Sequence, residues 1–240
     1  MKTLIRHFPP VLLLCLSAST AAATDYTWNG STSTNWSEAS NWTPGGVPGP
    51  GDGVIISSTP IAHLNADASV ATLALSTGTL SLGAKLSVTS TVNWTGGTLA
   101  GAGELSLPAA STLVLSGSGT KTLDGPTLRL AGTARWETGN LSAGSGSVIQ
   151  IEASGLWEIR NDANLYYNYN APTAILNNLG SIRKLSATGT TTFNTLSLIW
   201  NNQGLVDAQT GTLLFRINTS NTGSYTVAAG ATVEFAAGSH

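Results

Sequence analysis

Charge is the scarcest ingredient of this chain. Asp, Glu, Lys and Arg make up 9% of its 240 residues, against about 25% in a usual soluble domain. There is no basic run, which excludes the electrostatic footprint of a nucleic-acid binder or of a protein held on anionic membranes. There is one cysteine, Cys15. Beyond the first residues His63 and His240 are the only imidazoles, so a zinc site is excluded. Asn161-Asp162-Ala163-Asn164 alternates oxygen ligands as calcium loops do, but it lacks their Gly and distal Glu. No Gly-x-x-x-x-Gly-Lys-Ser/Thr phosphate cradle exists, and no cofactor is expected. Helical periodicity is missing as well. Low charge with 27 Gly and much Ser and Thr is close to the composition of disorder. The aliphatic residues, however, are periodic, and disordered chains lack that.

The first residues have the three parts of a secretion signal. Lys2 and Arg6 supply a positive start, Val11-Leu12-Leu13-Leu14-Cys15-Leu16 an apolar middle, and Ala21-Ala22-Ala23 a small-residue cleavage site. The apolar run is far short of the ~20 residues that span a bilayer. A lipid anchor on Cys15 is disfavoured by the bulky Leu13 and Leu14 before it. Residues 1–23 are therefore read as a signal peptide cut near Ala23, and the mature chain as secreted or surface-attached, without membrane insertion. Cleavage removes Cys15, so stability must come from packing and backbone pairing alone. Sequons such as Asn35-Trp36-Ser37 and Asn93-Trp94-Thr95 are expected by chance in a chain this rich in Asn, Ser and Thr.

What the chain has in abundance is one short phrase. It occurs as Thr72-Leu73-Ala74-Leu75, Thr79-Leu80-Ser81-Leu82, Glu104-Leu105-Ser106-Leu107, Thr112-Leu113-Val114-Leu115, Thr127-Leu128-Arg129-Leu130, Val148-Ile149-Gln150-Ile151, Thr212-Leu213-Leu214-Phe215 and Thr232-Val233-Glu234-Phe235. Alternation puts one side of a short strand in a core and the other in water. Gly, Ser, Thr and Asn between the phrases supply tight turns. Many short strands at a short repeat predict a coil of strands. Asn177-Asn178-Leu179-Gly180 recurs 24 residues later as Asn201-Asn202-Gln203-Gly204. Coils of roughly 20–24 residues predict about seven or eight coils, stacked at about 4.8 Å into a rod of roughly 35–40 Å. A lone coil buries too little to fold, whereas stacked coils pair every backbone group above and below. The Asn-Asn phrase has two readings. Equivalent amides in successive coils can bond into ladders, or Asn simply suits these turns.

Residues 24–60 differ from the rest. Trp28, Trp36 and Trp42 crowd into a segment of Gly and Pro turns before Val54-Ile55-Ile56, the first strand signal. The open end of a solenoid must be covered, so this segment is read as a cap. An aromatic sugar platform is the functional alternative. Residues 61–240 form the repeat region. It stops at Gly238-Ser239-His240 without a closing element and reads as an interrupted array.

The phrase Trp94-Thr95-Gly96-Gly97-Thr98-Leu99-Ala100-Gly101-Ala102-Gly103 resembles the W-x-G-G-x-L-x-G-x-G unit of bacterial β-strand-repeat surface proteins. So do Asn201-Asn202-Gln203-Gly204 followed by Gly211-Thr212-Leu213, and Val227-Ala228-Ala229-Gly230-Ala231-Thr232-Val233-Glu234-Phe235. The run from Trp28-x-Gly30 through Asn41-Trp42 to Gly51-Asp52-x-Val54 is similar to the opening of many such exported proteins. The resemblance implies an all-β fold, a right-handed parallel β-helix, in an adhesin-like or autotransporter-passenger-like protein. This chain departs from the pattern in being short and in lacking a C-terminal membrane barrel signature.

Polysaccharide lyases and hydrolases also use parallel β-helices, with carboxylates gathered on one face. Glu137, Glu152, Glu158, Asp162 and Arg160 are the candidates. Glu158 and Arg160 share a side of an alternating strand, and Glu152 is placed on a neighbouring coil. The plainer reading is an exposed ion pair worth under ~1 kcal/mol. A carbohydrate-active enzyme is therefore the runner-up, and no catalytic residue is assigned. The clearest break in the repeat is Leu165-Tyr166-Tyr167-Asn168-Tyr169-Asn170-Ala171-Pro172. It predicts a loop in which Tyr166, Tyr167, Asn168, Tyr169 and Asn170 contact a glycan or a surface protein. Trp94, Trp136, Trp157 and Trp200 either form a rail along the rod or fill its core. The function that emerges is an exported scaffold presenting that loop, with a soluble glycan-binding module as a further alternative.

Overall fold

The computed structural model describes residues 22–167 and 171–237. The alternating phrases are strands with the expected bounds, among them Thr79–Leu82, Thr112–Leu115, Thr127–Leu130 and Val148–Ile151. In each of these the second and fourth residues point inward and are buried. Four residues of alternation give two buried anchors per strand, and the Gly or Ser that follows turns the chain onto the next face.

Each strand pairs with its equivalent one coil away, and the pairing is parallel. One rung can be followed through Gly53, Thr72, Thr91, Thr112, Thr133, Leu156, Ser181, Leu205 and Ser224. Successive members of this rung lie 19–25 residues apart, in eight steps. The molecule is a parallel β-solenoid with three strand faces per coil. The ladder starts earlier than residue 61: Asp25 pairs with Gly53, and Gly53 with Thr72. Strand Gly53–Ile56 is thus already part of the stack.

The core is a set of inward columns. One reads Val54, Leu73, Val92, Leu113, Ala134, Trp157, Ile182 and Val206, and every member is buried. Another reads Leu141, Leu165, Phe193 and Phe215 and continues to Phe235. Phe193 and Phe215 stack at 4.8 Å, Phe215 and Phe235 at 5.5 Å, and Trp200 lies 5.4 Å from Phe215. Trp94, Trp136, Trp157 and Trp200 are all at most 1% exposed. They fill the core, and none forms an external rail.

One corner shows how close the coils run. A Cβ on Gly180 would stand 2.2 Å from the Gly155 carbonyl oxygen, on Gly204 2.1 Å from that of Gly180, and on Gly223 2.3 Å from that of Gly204. Glycine is required there because the backbone of one coil rests on the backbone of the last.

The N-terminal segment covers the first coil, and its three tryptophans are buried. Trp28 and Trp36 meet Trp42 edge-on at 4.9 and 4.7 Å. The Trp28 indole donates to the Pro60 carbonyl and the Trp42 indole to that of Trp36. Asn41, fully buried, holds the loop together: its Oδ1 accepts from the Thr32 and Ser33 amides, and its Nδ2 donates to the Asn35 carbonyl. Burial removes these rings from any sugar-stacking role.

Candidate functional site

The Asn-Asn phrases form ladders on both sides of the solenoid wall. Asn177 and Asn201 are rung partners facing outward, and Asn178 and Asn202 are rung partners facing inward. Outside, Asn201 Nδ2 donates to Asn177 Oδ1 at 2.8 Å, and Asn177 Nδ2 to Gln150 Oε1 at 2.9 Å. Inside, Asn178 Nδ2 donates to Asn202 Oδ1 at 2.8 Å and to the Leu205 carbonyl at 3.1 Å. Two amides next to each other in sequence point to opposite sides of a strand, so a repeated pair writes two ladders at once.

The outer ladder is the floor of a groove of about 550 Å³, lined by Gln150, Asn177, Asn201 and Ser220 and, past the corner, by Leu179, Gln203 and Thr222. Gln150, Asn177, Asn201 and Ser220 are successive partners on one rung. Two residues earlier on the same strands, Val148, Ile175 and Ile199 make a parallel apolar strip. The surface is therefore banded along the solenoid axis, amides beside aliphatics. The groove holds no titratable side chain. One coil below Gln150 on the same rung, Arg129 belongs to an ionic chain: it donates to Glu104 and bonds Glu152, and Lys85 pairs with Glu104 at 3.6 Å. The hydrogen bond to Glu104, with Glu152 beside it, raises the Arg129 guanidinium above its ordinary value.

The carboxylates considered for catalysis are dispersed. Glu152 belongs to that chain. Glu158 sits on another face in the column Arg135, Glu158, Arg183, Asp207, where it pairs with Arg135 at 3.4 Å and Arg160 at 2.8 Å. Arg183 pairs with Asp207 at 2.9 Å. Glu137 lies 3.8 Å from Arg160. Alternating sign on successive coils turns each carboxylate into an ion-pair partner. Asp162 is tied to Lys184 at 2.8 Å, and Asn161 is buried with its Nδ2 on the Trp136 carbonyl. The sequence Asn161–Asn164 is thus occupied by internal bonds, and among the described residues no group of three or more metal-ligating side chains occurs.

The tyrosine-rich segment differs from expectation. Tyr166 and Tyr167 are not in a loop: they end the strand Asn164–Tyr167 and pair with Ser142 and Ala143 of the previous coil. Leu165 is buried and Tyr167 packs against the core, because the inward alternation runs on through Leu165 and Tyr167. Tyr166 and Tyr167 are half-buried. Asn168, Tyr169 and Asn170 lie outside the described residues.

Two residues missed from sequence are internal ammonium groups. Lys121 and Lys184 are fully buried. Lys121 Nζ donates to the carbonyls of Gly117, Gly119 and Thr138 at 2.8–3.1 Å. Lys184 Nζ donates to the Asn161 carbonyl, Asp162 Oδ1 and Thr191 Oγ1 at 2.7–2.8 Å. Burial pushes Lys121 down to about 8, and among the described residues no carboxylate pairs with it. Their positions were visible in parity: each stands two residues from a buried aliphatic, Leu123 or Ile182.

No curated protein and no solved structure matches the chain. Residues 27–120 match the family model described as a domain of unknown function (DUF8693), a stretch that takes in the cap and the first coils and stops short of the groove.

Proposed function

We propose that the chain is an exported β-solenoid scaffold, adhesin-like in its role, that contacts glycans through the amide-lined groove. The observation that supports this reading most is the outer ladder Gln150–Asn177–Asn201. Each primary amide offers two N–H donors and two acceptor lone pairs, and the ladder uses only part of that capacity. What remains faces the groove as donors and acceptors side by side, the combination a sugar hydroxyl satisfies. The signal-like start of the sequence and the resemblance to bacterial surface repeats support export. The groove is the contact surface in this reading because its amides stand outward on successive coils as one aligned column.

The test is retention of the protein on insoluble cellulose, chitin and mannan, for the native sequence and for an Asn177→Ala/Asn201→Ala double variant. Retention that the double variant loses supports the reading. Equal behaviour of the two proteins on every polysaccharide overturns it. Immunoblots of fractionated source cells test export, which a purely cytoplasmic product would refute.

A further inference from the structure

Resting on the reading that the groove contacts glycan, we propose that its ligand is a linear chain of equatorially linked pyranose rings. The chain lies parallel to the solenoid axis, one ring per coil, along the four coils marked by Gln150, Asn177, Asn201 and Ser220. The first argument is spacing. Neighbouring strands repeat at about 4.7–4.9 Å, and an extended, equatorially linked glycan advances by nearly that distance per ring. Each ring would meet the same side-chain position on the next coil. Sugars joined through axial bonds curl away from a straight column and lose this match.

The second argument is banding. A pyranose presents hydroxyls at its rim and C–H groups on its faces. The groove sets a polar column beside the aliphatic strip of Val148, Ile175 and Ile199. Ile199, at the upper end of that strip, is 37% exposed, and Leu179, past the corner, is 38% exposed. The third argument is preorganisation. The amides are already bonded to one another at 2.8–2.9 Å, so their orientation is fixed before a ligand arrives and little rotamer freedom remains to be lost. The column of neutral polar groups also has a defined foot. One coil before Gln150 the same rung is Arg129, whose guanidinium is engaged by Glu104 and Glu152.

Four coils give a length that can be read out. Titration calorimetry with cello- and chito-oligosaccharides of two to six rings, and with malto-oligosaccharides as the axially linked control, is the experiment. Affinity is expected to rise with each ring up to four and then level, with the malto series much weaker. Asn177→Ala/Asn201→Ala should weaken the four-ring ligand by about tenfold or more, as loss of one to two hydrogen bonds implies, while its urea midpoint moves little. A length-independent affinity, or an equal preference for malto-oligosaccharides, overturns the axial arrangement and leaves glycan contact standing. Failure of every oligosaccharide to bind, with no polysaccharide retention either, removes both.

Discussion

The coils up to Leu115 and those from Lys121 onward are built on the same ladder but filled differently. From Gly53 to Leu115 the inward strand positions are aliphatic apart from Trp94 and Gly97. Beyond that point the interior takes in Lys121, Asn178, Lys184 and Asn202, together with Trp136, Trp157, Trp200, Phe193 and Phe215. Coil lengths change too: rung partners are 19–21 residues apart from Gly53 to Thr133 and 23–25 apart from Thr133 to Leu205. Longer coils enclose a wider cross-section, which aliphatics alone would leave hollow. Large rings and internally bonded polar groups fill it. The family match ends at residue 120, next to Lys121, the first of these interior polar groups, and before the coils lengthen beyond Thr133. The matched stretch is the sealed, aliphatic start, and the groove belongs to the wider half.

The largest way to test this contrast is Phe215→Ala. The ring is flanked by Phe193, Trp200 and Phe235, so truncation opens a cavity in the wide section and should cost about 3–5 kcal/mol, measured by urea unfolding. A loss below 1 kcal/mol would mean that the wide coils collapse freely and are not held open by their rings.

Next in size is the pH response of Lys121. Its folded value of about 8 lies below the ordinary 10.5. Between these values the unfolded chain keeps a proton that the folded chain has released, so stability rises with pH. Relative to Lys121→Met, the native protein should gain up to about 3 kcal/mol from pH 8 to pH 10.5, and no such gain should occur below pH 8. Parallel stability curves for the two proteins over that window would show that the three carbonyls hold the ammonium at its ordinary value.

The smallest effect expected is at the inner ladder. Asn202→Leu removes the acceptor of Asn178 Nδ2, which keeps only the Leu205 carbonyl. A cost of about 1–3 kcal/mol follows from the stranded donor, and Asn178→Leu/Asn202→Leu should recover much of it. If the double variant is no better than the single one, the inner amides act through packing and not through their bond.

Much of this architecture was legible in the sequence. Thr112–Leu115 and Thr127–Leu130 are strands because two inward leucines per four residues leave no other solution. The 24-residue return of Asn-Asn-x-Gly carried the ladders and the glycine corner together. Lys121 and Lys184 were harder to see, since a lysine in an alternating phrase is ordinarily taken as outward, and only parity with Leu123 and Ile182 contradicts that. Tyr166 and Tyr167 look irregular as letters, yet Leu165 and Tyr167 preserve the period. The groove was the least visible feature. It exists only where Gln150, Asn177 and Asn201 align, and their alignment depends on coil lengths that vary from turn to turn.

The tryptophan cap has a consequence for self-association. A stack of parallel strands ends in unpaired N–H and C=O groups, and such an edge templates further strands, including those of other molecules. Here the end is turned aside. Thr27 and Trp28 pair antiparallel with Thr43 and Trp42, so an incoming parallel coil meets a strand running the wrong way over a plug of indole rings. On the neighbouring face, among the described residues, Ala68, Ser69 and Val70 pair only with the coil above, an edge of three residues, shorter than the roughly six or seven of a fibre-forming segment. Among the described residues, the cap therefore sets an antiparallel strand and buried indole rings where a further parallel coil would otherwise dock.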